Sequence, residues 1–235
     1  MTQQEFDAAF RTYLLVVAHP DDSEFGAGGT VARLTDAGVR VVVVQVTSGN
    51  KGSPDRTADP REVARIREAE LNEATRRLGV AEVIFLRCMD GELEPNLELR
   101  EKIVRVIRRY QPDVIITHDP FRPYALHPDH RAVGLATTDA VYPTARDPLY
   151  FSHHLSEGLE PHKVAEIWYF GAEHPDRFID IASTFSRKLE ALKAHVSQIS
   201  DATDLETRMR ERAEEVAEPS DFTMAEAFKV IQMRR

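Results

Sequence analysis

Residues 39–47, VRVVVVQVT, are apolar at almost every position. A strand with one wet face alternates apolar and polar side chains. This one does not, so both of its faces must be covered, as in a parallel sheet packed between helices. TYLLVVA (12–18) upstream, and AEVIFLR (81–87) and DVIITH (113–118) downstream, read the same way. Helical patterns separate them, over about 27–37 ending at Gly38, near 97–110 and near 129–141. The helix in ADPREVARIREAELNEATRRLGV has marked ends. Asp59 caps it, Pro60 takes the first helical position, Glu62 completes a capping-box pattern and Gly79 stops it. HKVAEIWYF (162–170) and RFIDI (177–181) read as further strands, followed by helices over about 183–199, 203–217 and 223–233. Strands alternating with helices predict one α/β domain over 1–235. Its expected form is a Rossmann-like, mostly parallel β-sheet flanked by helices, with right-handed crossovers and extra C-terminal helices.

The 235 residues are 42% hydrophobic and 29% charged, which suits a globular chain. Thirty Lys and Arg against 39 Asp and Glu leave a net charge of −9, which argues against nucleic acid as the main partner. Cys88 is the only cysteine, so no internal disulfide forms, in keeping with a reducing compartment. The first twelve residues lack the basic start and apolar run of a signal peptide, and no stretch approaches a membrane span. A cytoplasmic protein is expected. The mixed-sign run ETRMRERAEEVAE reads as a solvated helix face.

Ligands of an open parallel sheet sit outside the carboxyl ends of its strands, where strand order reverses. The first strand exits into His19, Asp21 and Asp22, the second into TSGNKG (47–52) and the third into CMDGE with Asp90. The fourth exits into His118 and Asp119, then a loop carrying His127, Asp129 and His130. All these clusters share one edge. Imidazole and carboxylate without thiolate suit a zinc site with an open position, and another divalent ion such as Fe2+ fits the same chemistry. The glycines at 26, 28 and 29 do not make a dinucleotide fingerprint, because Val31 stands where the third glycine belongs. A two-metal phosphoesterase would need more ligands. A binding module without chemistry is not excluded by spacing.

AHPDDSEFGAGGT (18–30), followed about 110 residues later by HPDHRAVG (127–134), resembles the LmbE-like (PIG-L) family of metal-dependent N-acetylglucosamine deacetylases. TSGNKG, DGEL, THDP, AHVSQ and AEAF extend the similarity over most of the chain. The resemblance implies His19, Asp22 and His130 as metal ligands and Asp21 as general base. It implies His127 as the oxyanion partner or acid, with Asp129 orienting it, and Arg67 reaching toward substrate. Arg67 equally suits a salt bridge with Glu70 or a plain helix surface. Ser48, after the second strand, is expected to line the sugar pocket, and Asp90 to accept substrate hydroxyls or to shape a turn with Gly91. His118 and His195 receive no role. The third HPD, His174 to Asp176, lies between two predicted strands and reads as a turn. The implied reaction is removal of an N-acetyl group from an amino-sugar glycoside or conjugate. A same-mechanism amidohydrolase on another N-acyl substrate and a non-catalytic sugar-binding relative are the alternatives. The loops 121–126 and 142–160 are expected to shape the pocket rim, and the C-terminal helices to offer contacts for a homo-oligomer.

Overall fold

The computed structural model describes residues 10–199 and 202–233. The N-terminal stretch 1–9, most of the segment read for a signal peptide, lies outside them. Seven strands form one sheet: β1 (Thr12–Val17), β2 (Arg40–Thr47), β3 (Glu82–Cys88), β4 (Val114–His118), β5 (Glu166–Phe170), β6 (Arg177–Asp180) and β7 (Ala225–Gln232). Their order is β3-β2-β1-β4-β5-β7-β6. The first five are parallel, and β7 runs antiparallel to both β5 and β6. The mostly parallel sheet flanked by helices is therefore as expected.

The apolar run of β2 has the explanation anticipated. Val41 and Val43 face one core together with Tyr13, Leu15 and Val17, while Val42 and Val44 face a second core with Leu14 and Val16. Side chains alternate across a strand, so burying both faces requires apolar residues throughout. The first core is closed by α1 (Asp22–Asp36), α2 (Pro60–Leu78) and α6 (Phe185–Leu192). The second is closed by α3 (Leu97–Tyr110) and α4 (Pro128–Asp139). Two further helices are the short α5 (His153–Ser156) and α7 (Ala202–Ala217).

The caps of α2 form largely as read. The Asp59 carboxylate accepts from the Arg61 amide, Pro60 opens the helix, and Gly79 ends it at φ 79°. The capping box does not close, because both Glu62 oxygens accept from Arg65.

Three elements depart from expectation. The first helix begins at Asp22, not near 27, so its glycines lie inside it. They permit close packing: a Cβ on Gly26 would stand 2.6 Å from the Phe170 ring, and one on Gly29 2.7 Å from Ile181. The helix expected over 183–199 ends at Leu192 and continues as turns. The segment 223–233 is a strand, not a helix. AEAFKVIQ is rich in helix formers, but it fills the slot between β5 and β6, where Phe228 packs on Trp168 at 5.4 Å. Tertiary pairing overrides local propensity there.

Candidate metal centre and active site

β1 and β4 are neighbours in the sheet, and the chain leaves them toward opposite sides, to β2 and to β5. That is the switch point, and the residues leaving these two strands meet there. The turn after β1 carries His19, Pro20 and Asp21 into α1. Asp21 adopts φ 112°, in the left-handed region that is costly for a residue with a side chain. This twist sends the two adjacent carboxylates apart. Asp22 folds back to accept the His19 amide at 2.7 Å, while Asp21 Oδ2 lies 3.3 Å from Arg67 Nη2.

His19 Nδ1 and His130 Nε2 stand 3.2 Å apart, and the Asp22 carboxylate approaches them at 3.4 and 3.3 Å. Ligands held tetrahedrally at bond lengths of roughly 2.0–2.1 Å stand about 3.3 Å from one another. The three side chains thus have the spacing of a divalent-metal triad. The electrostatics agree. Burial alone pushes the His19 imidazole down, but Asp22, Asp90 and Asp129 outweigh it and raise it to about 10. Burial likewise works to raise Asp22, yet His118, His130 and His19 hold it well below the usual carboxylate range. The cluster stabilises positive charge at this point, which a bound dication supplies.

His118 also reaches Asp22, at 3.3 Å, and is buried. The same Nε2 lies 3.1 Å from the Ala18 amide nitrogen. His118 thus ties the end of β1 to the Asp22 carboxylate.

The other face of His19 is equally built. Its Nε2 lies 3.0 Å from Asp129 Oδ2 and 3.3 Å from Asp90 Oδ1. Asp129 is fully buried and also accepts the amides of Gly91 at 2.7 Å and Leu93 at 3.3 Å. A fixed carboxylate behind a ligating histidine sets its tautomer and raises its basicity. The structure thus puts the Asp129 carboxylate on His19, not on His127. His127 is the N-cap of α4, and its Nδ1 accepts the Asp129 backbone amide at 3.3 Å. The two residues are joined through the backbone because a cap side chain turns onto the first-turn amides. With Nδ1 occupied as acceptor, the neutral ring carries its proton on Nε2. Burial and the neighbouring His19 and His130 push the His127 pKa down and favour that neutral form. Its ring centroid is 4.5 Å from that of His19 and 4.6 Å from that of His130.

Arg67 is buried and does not pair with Glu70, whose oxygens take Ser197. Arg67 donates to the Pro20 carbonyl at 2.7 Å, the Gly49 carbonyl at 3.2 Å and Asp21. Gly49 has to be glycine, since its φ is 61° and a Cβ would meet Arg67 Nη1 at 2.3 Å. Burial and the Asp22 charge raise Asp21 to about 7, opposed by Arg67 and His195. Behind it, His195 Nε2 lies 3.3 Å from Glu24 Oε2, both side chains fully buried. Ser48 turns away and donates to Glu68 at 2.5 Å. Asp90, besides facing His19, accepts the Lys51 amide.

A cavity of about 330 Å³ opens beside the cluster, lined by Asp22, Phe25, His118, Asp119, His127, His130 and Phe170 and rimmed by Arg122 and Arg212. Arg122 belongs to the loop expected at the rim. Arg212 lies in the run read as a solvated face, and nothing in its local pattern separates it from its neighbours. His174 is exposed, and Asp176 bonds Lys229 and Val230 at the sheet edge, as a turn residue would.

A Rossmann-like sheet with this His and Asp cluster at its switch point is the LmbE-like architecture. The family model described as "PIG-L: GlcNAc-PI de-N-acetylase" matches residues 14–141, and the chain belongs to that family. It is 36% identical over 188 residues to diacetylchitobiose deacetylase of Thermococcus kodakarensis, covering 80% of this chain and 70% of that one. It is 31% identical over 225 residues to a probable N-acetyl-alpha-D-glucosaminyl L-malate deacetylase 2 of Bacillus anthracis, covering 93% and 94%. The solved structure of N,N'-diacetylchitobiose deacetylase from Pyrococcus horikoshii superposes with a TM-score of 0.92 at 31% identity, covering 99% of this chain and 88% of that one.

Proposed function

We propose that this protein is a zinc-dependent deacetylase that hydrolyses the N-acetyl group of an N-acetylglucosamine-containing substrate. The observation that carries this reading is the triad of His19 Nδ1, Asp22 and His130 Nε2 at 3.2–3.4 Å beside the Asp21 carboxylate, which pairs with Arg67. The relatives named above are deacetylases of such sugars, which supports the substrate class. The donor set has two imidazoles and one carboxylate and no thiolate, which suits zinc with an open position.

When bound, the ion supplies Lewis acidity toward water and the acyl carbonyl. Asp21 takes the proton of the attacking water and returns it to the departing amine, with Arg67 holding its carboxylate in place. The His127 Nε2–H donates to the acyl oxygen as negative charge collects there. Asp129 and Asp90 keep His19 oriented from behind. Arg122 and Arg212 line the same cavity and offer their guanidinium groups to the substrate. No helix among the described residues is long and apolar enough to cross a membrane, and we place the enzyme in the cytoplasm.

The test is release of acetate and free amine from a panel of N-acetylglucosaminides by zinc-loaded protein, beside Asp21→Asn. Turnover lost in the variant with zinc retained supports the reading. Absence of turnover on every N-acetylglucosaminide, with zinc bound, overturns the substrate class.

A further inference from the structure

Outside the switch point, a second group of side chains converges. Glu101 projects from α3 toward the two adjacent histidines of α5. His153 Nε2 lies 2.7 Å, and His154 Nε2 3.4 Å, from the same Glu101 Oε1. One ligand atom from each of the three lies within 4.8 Å of the others. No residue is shared with the switch-point cluster.

His154 distinguishes this group from an ordinary surface ion pair. It is fully buried and stacked on Phe151 at 5.7 Å; its Nδ1 has no partner, and its Nε2 has only the 3.4 Å approach to Glu101, which is not aligned as a hydrogen bond. Buried polar side chains are almost always hydrogen-bonded, so a ring left with this one contact has room for a further partner. A leucine would pack as well at no polar cost. His153, by contrast, is exposed and leaves the group open to solvent. The nearby cations are already engaged. Arg105 pairs with Glu157 and stands farther, at 3.8 Å, from Glu101 Oε1, and Arg108 spreads its donors over backbone carbonyls between Thr144 and Phe151.

We propose that Glu101, His153 and His154 form a second divalent-cation site, selective for zinc-like ions, that ties α5 to α3. Two imidazoles and one carboxylate without thiolate suit zinc, cobalt or nickel more than calcium or magnesium. The His154-to-Glu101 separation is already that of two ligands on one ion. The closer His153 contact is a hydrogen bond that opens as the ion enters. The bound ion fastens the 144–156 segment, which Arg108 holds from its other side.

Wild type, His153→Ala and Glu101→Gln are dialysed against micromolar free zinc, and bound metal is counted per chain. The difference between wild type and variant is the quantity read, so occupancy of the switch point cancels. Wild type should exceed each variant by one zinc, and zinc should raise the unfolding temperature of wild type above that of the variants. Equal zinc content in wild type and His153→Ala overturns the proposal. So does a Glu101→Gln variant that retains the extra ion. Deacetylation by the two variants with one equivalent of zinc should match wild type.

Discussion

The molecule gathers histidine and carboxylate in two places, and the two are built differently. At the switch point two of the three proposed ligands have a second partner. Asp129 stands behind His19, backbone amides hold Asp129, and the His19 amide holds Asp22. Between α3 and α5, His154 has no such support, and His153 has only the carboxylate it shares. What separates a catalytic centre from a simple cation clip is thus the shell that fixes the ligands, not their number. Pre-organised ligands spend no free energy finding their geometry when chemistry begins.

The sharpest way to break this contrast is at Asp21. We expect Asp21→Asn to lower kcat by about 100-fold or more, the usual range for losing a general base, with zinc content unchanged by metal analysis. Loss of zinc instead would make Asp21 a ligand and dissolve the division between triad and base. Next in size is Asp129→Asn. Replacing the carboxylate behind His19 should weaken zinc affinity by roughly 10–100-fold, read by competition with a chelator. An unchanged affinity would mean that the supporting shell is ornamental, and the two clusters would then differ only in burial.

A third prediction concerns how closely α4 is pressed onto the site. A Cβ on Gly134 would meet the His118 carbonyl oxygen at 2.6 Å and Pro120 Cβ at 2.9 Å. The backbone there cannot swing aside as a side chain does. We expect Gly134→Ala to cost about 1–3 kcal/mol, seen as a lower denaturant midpoint, and to weaken zinc binding because His130 rides on the same helix. No comparable glycine stands between α3 and α5, so the second cluster should be untouched by it.

The parallel half of the sheet was legible because burial on both faces leaves an unmistakable apolar run, and because the residues after β1 and β4 are rich in groups that loops do not need. The shared edge of His19, Asp22, His118, His127 and His130 followed from topology alone. Contacts across the site were not legible. Asp129 sits two residues from His127, and only the three-dimensional turn shows its carboxylate on His19. Arg67 has the pattern of a helix surface and is buried, because the glycines at 49 and 52 make room for its guanidinium. The β7 segment has the local pattern of a helix, since alanine, glutamate and lysine favour one, while the vacant place beside β5 decides otherwise. Glu226 illustrates the cost of that placement: it is buried, and it is stabilised only by Lys188 and the amides of Gly29 and Thr30. Those partners come from α1 and α6, far away in sequence.

The smallest expected effect is the most discriminating for the second cluster. His154 is a buried ring without a hydrogen bond, so His154→Leu removes an unsatisfied group and keeps an apolar shape against Phe151. Without added metal the variant should be as stable as wild type or more stable by up to about 1 kcal/mol, because only a 3.4 Å contact with Glu101, whose oxygen keeps His153, is lost and a desolvation penalty disappears. With zinc at about 100 times its dissociation constant, wild type should gain roughly 2.7 kcal/mol from this site and His154→Leu none. The order of stabilities would then reverse on adding metal. At the switch point the corresponding exchange, His19→Leu, strands Asp22, Asp90 and Asp129 without their shared cation and should destabilise the fold in either condition. A His154→Leu variant that loses stability in metal-free buffer would show that the ring has a partner in solution, and the buried imidazole would no longer argue for an ion.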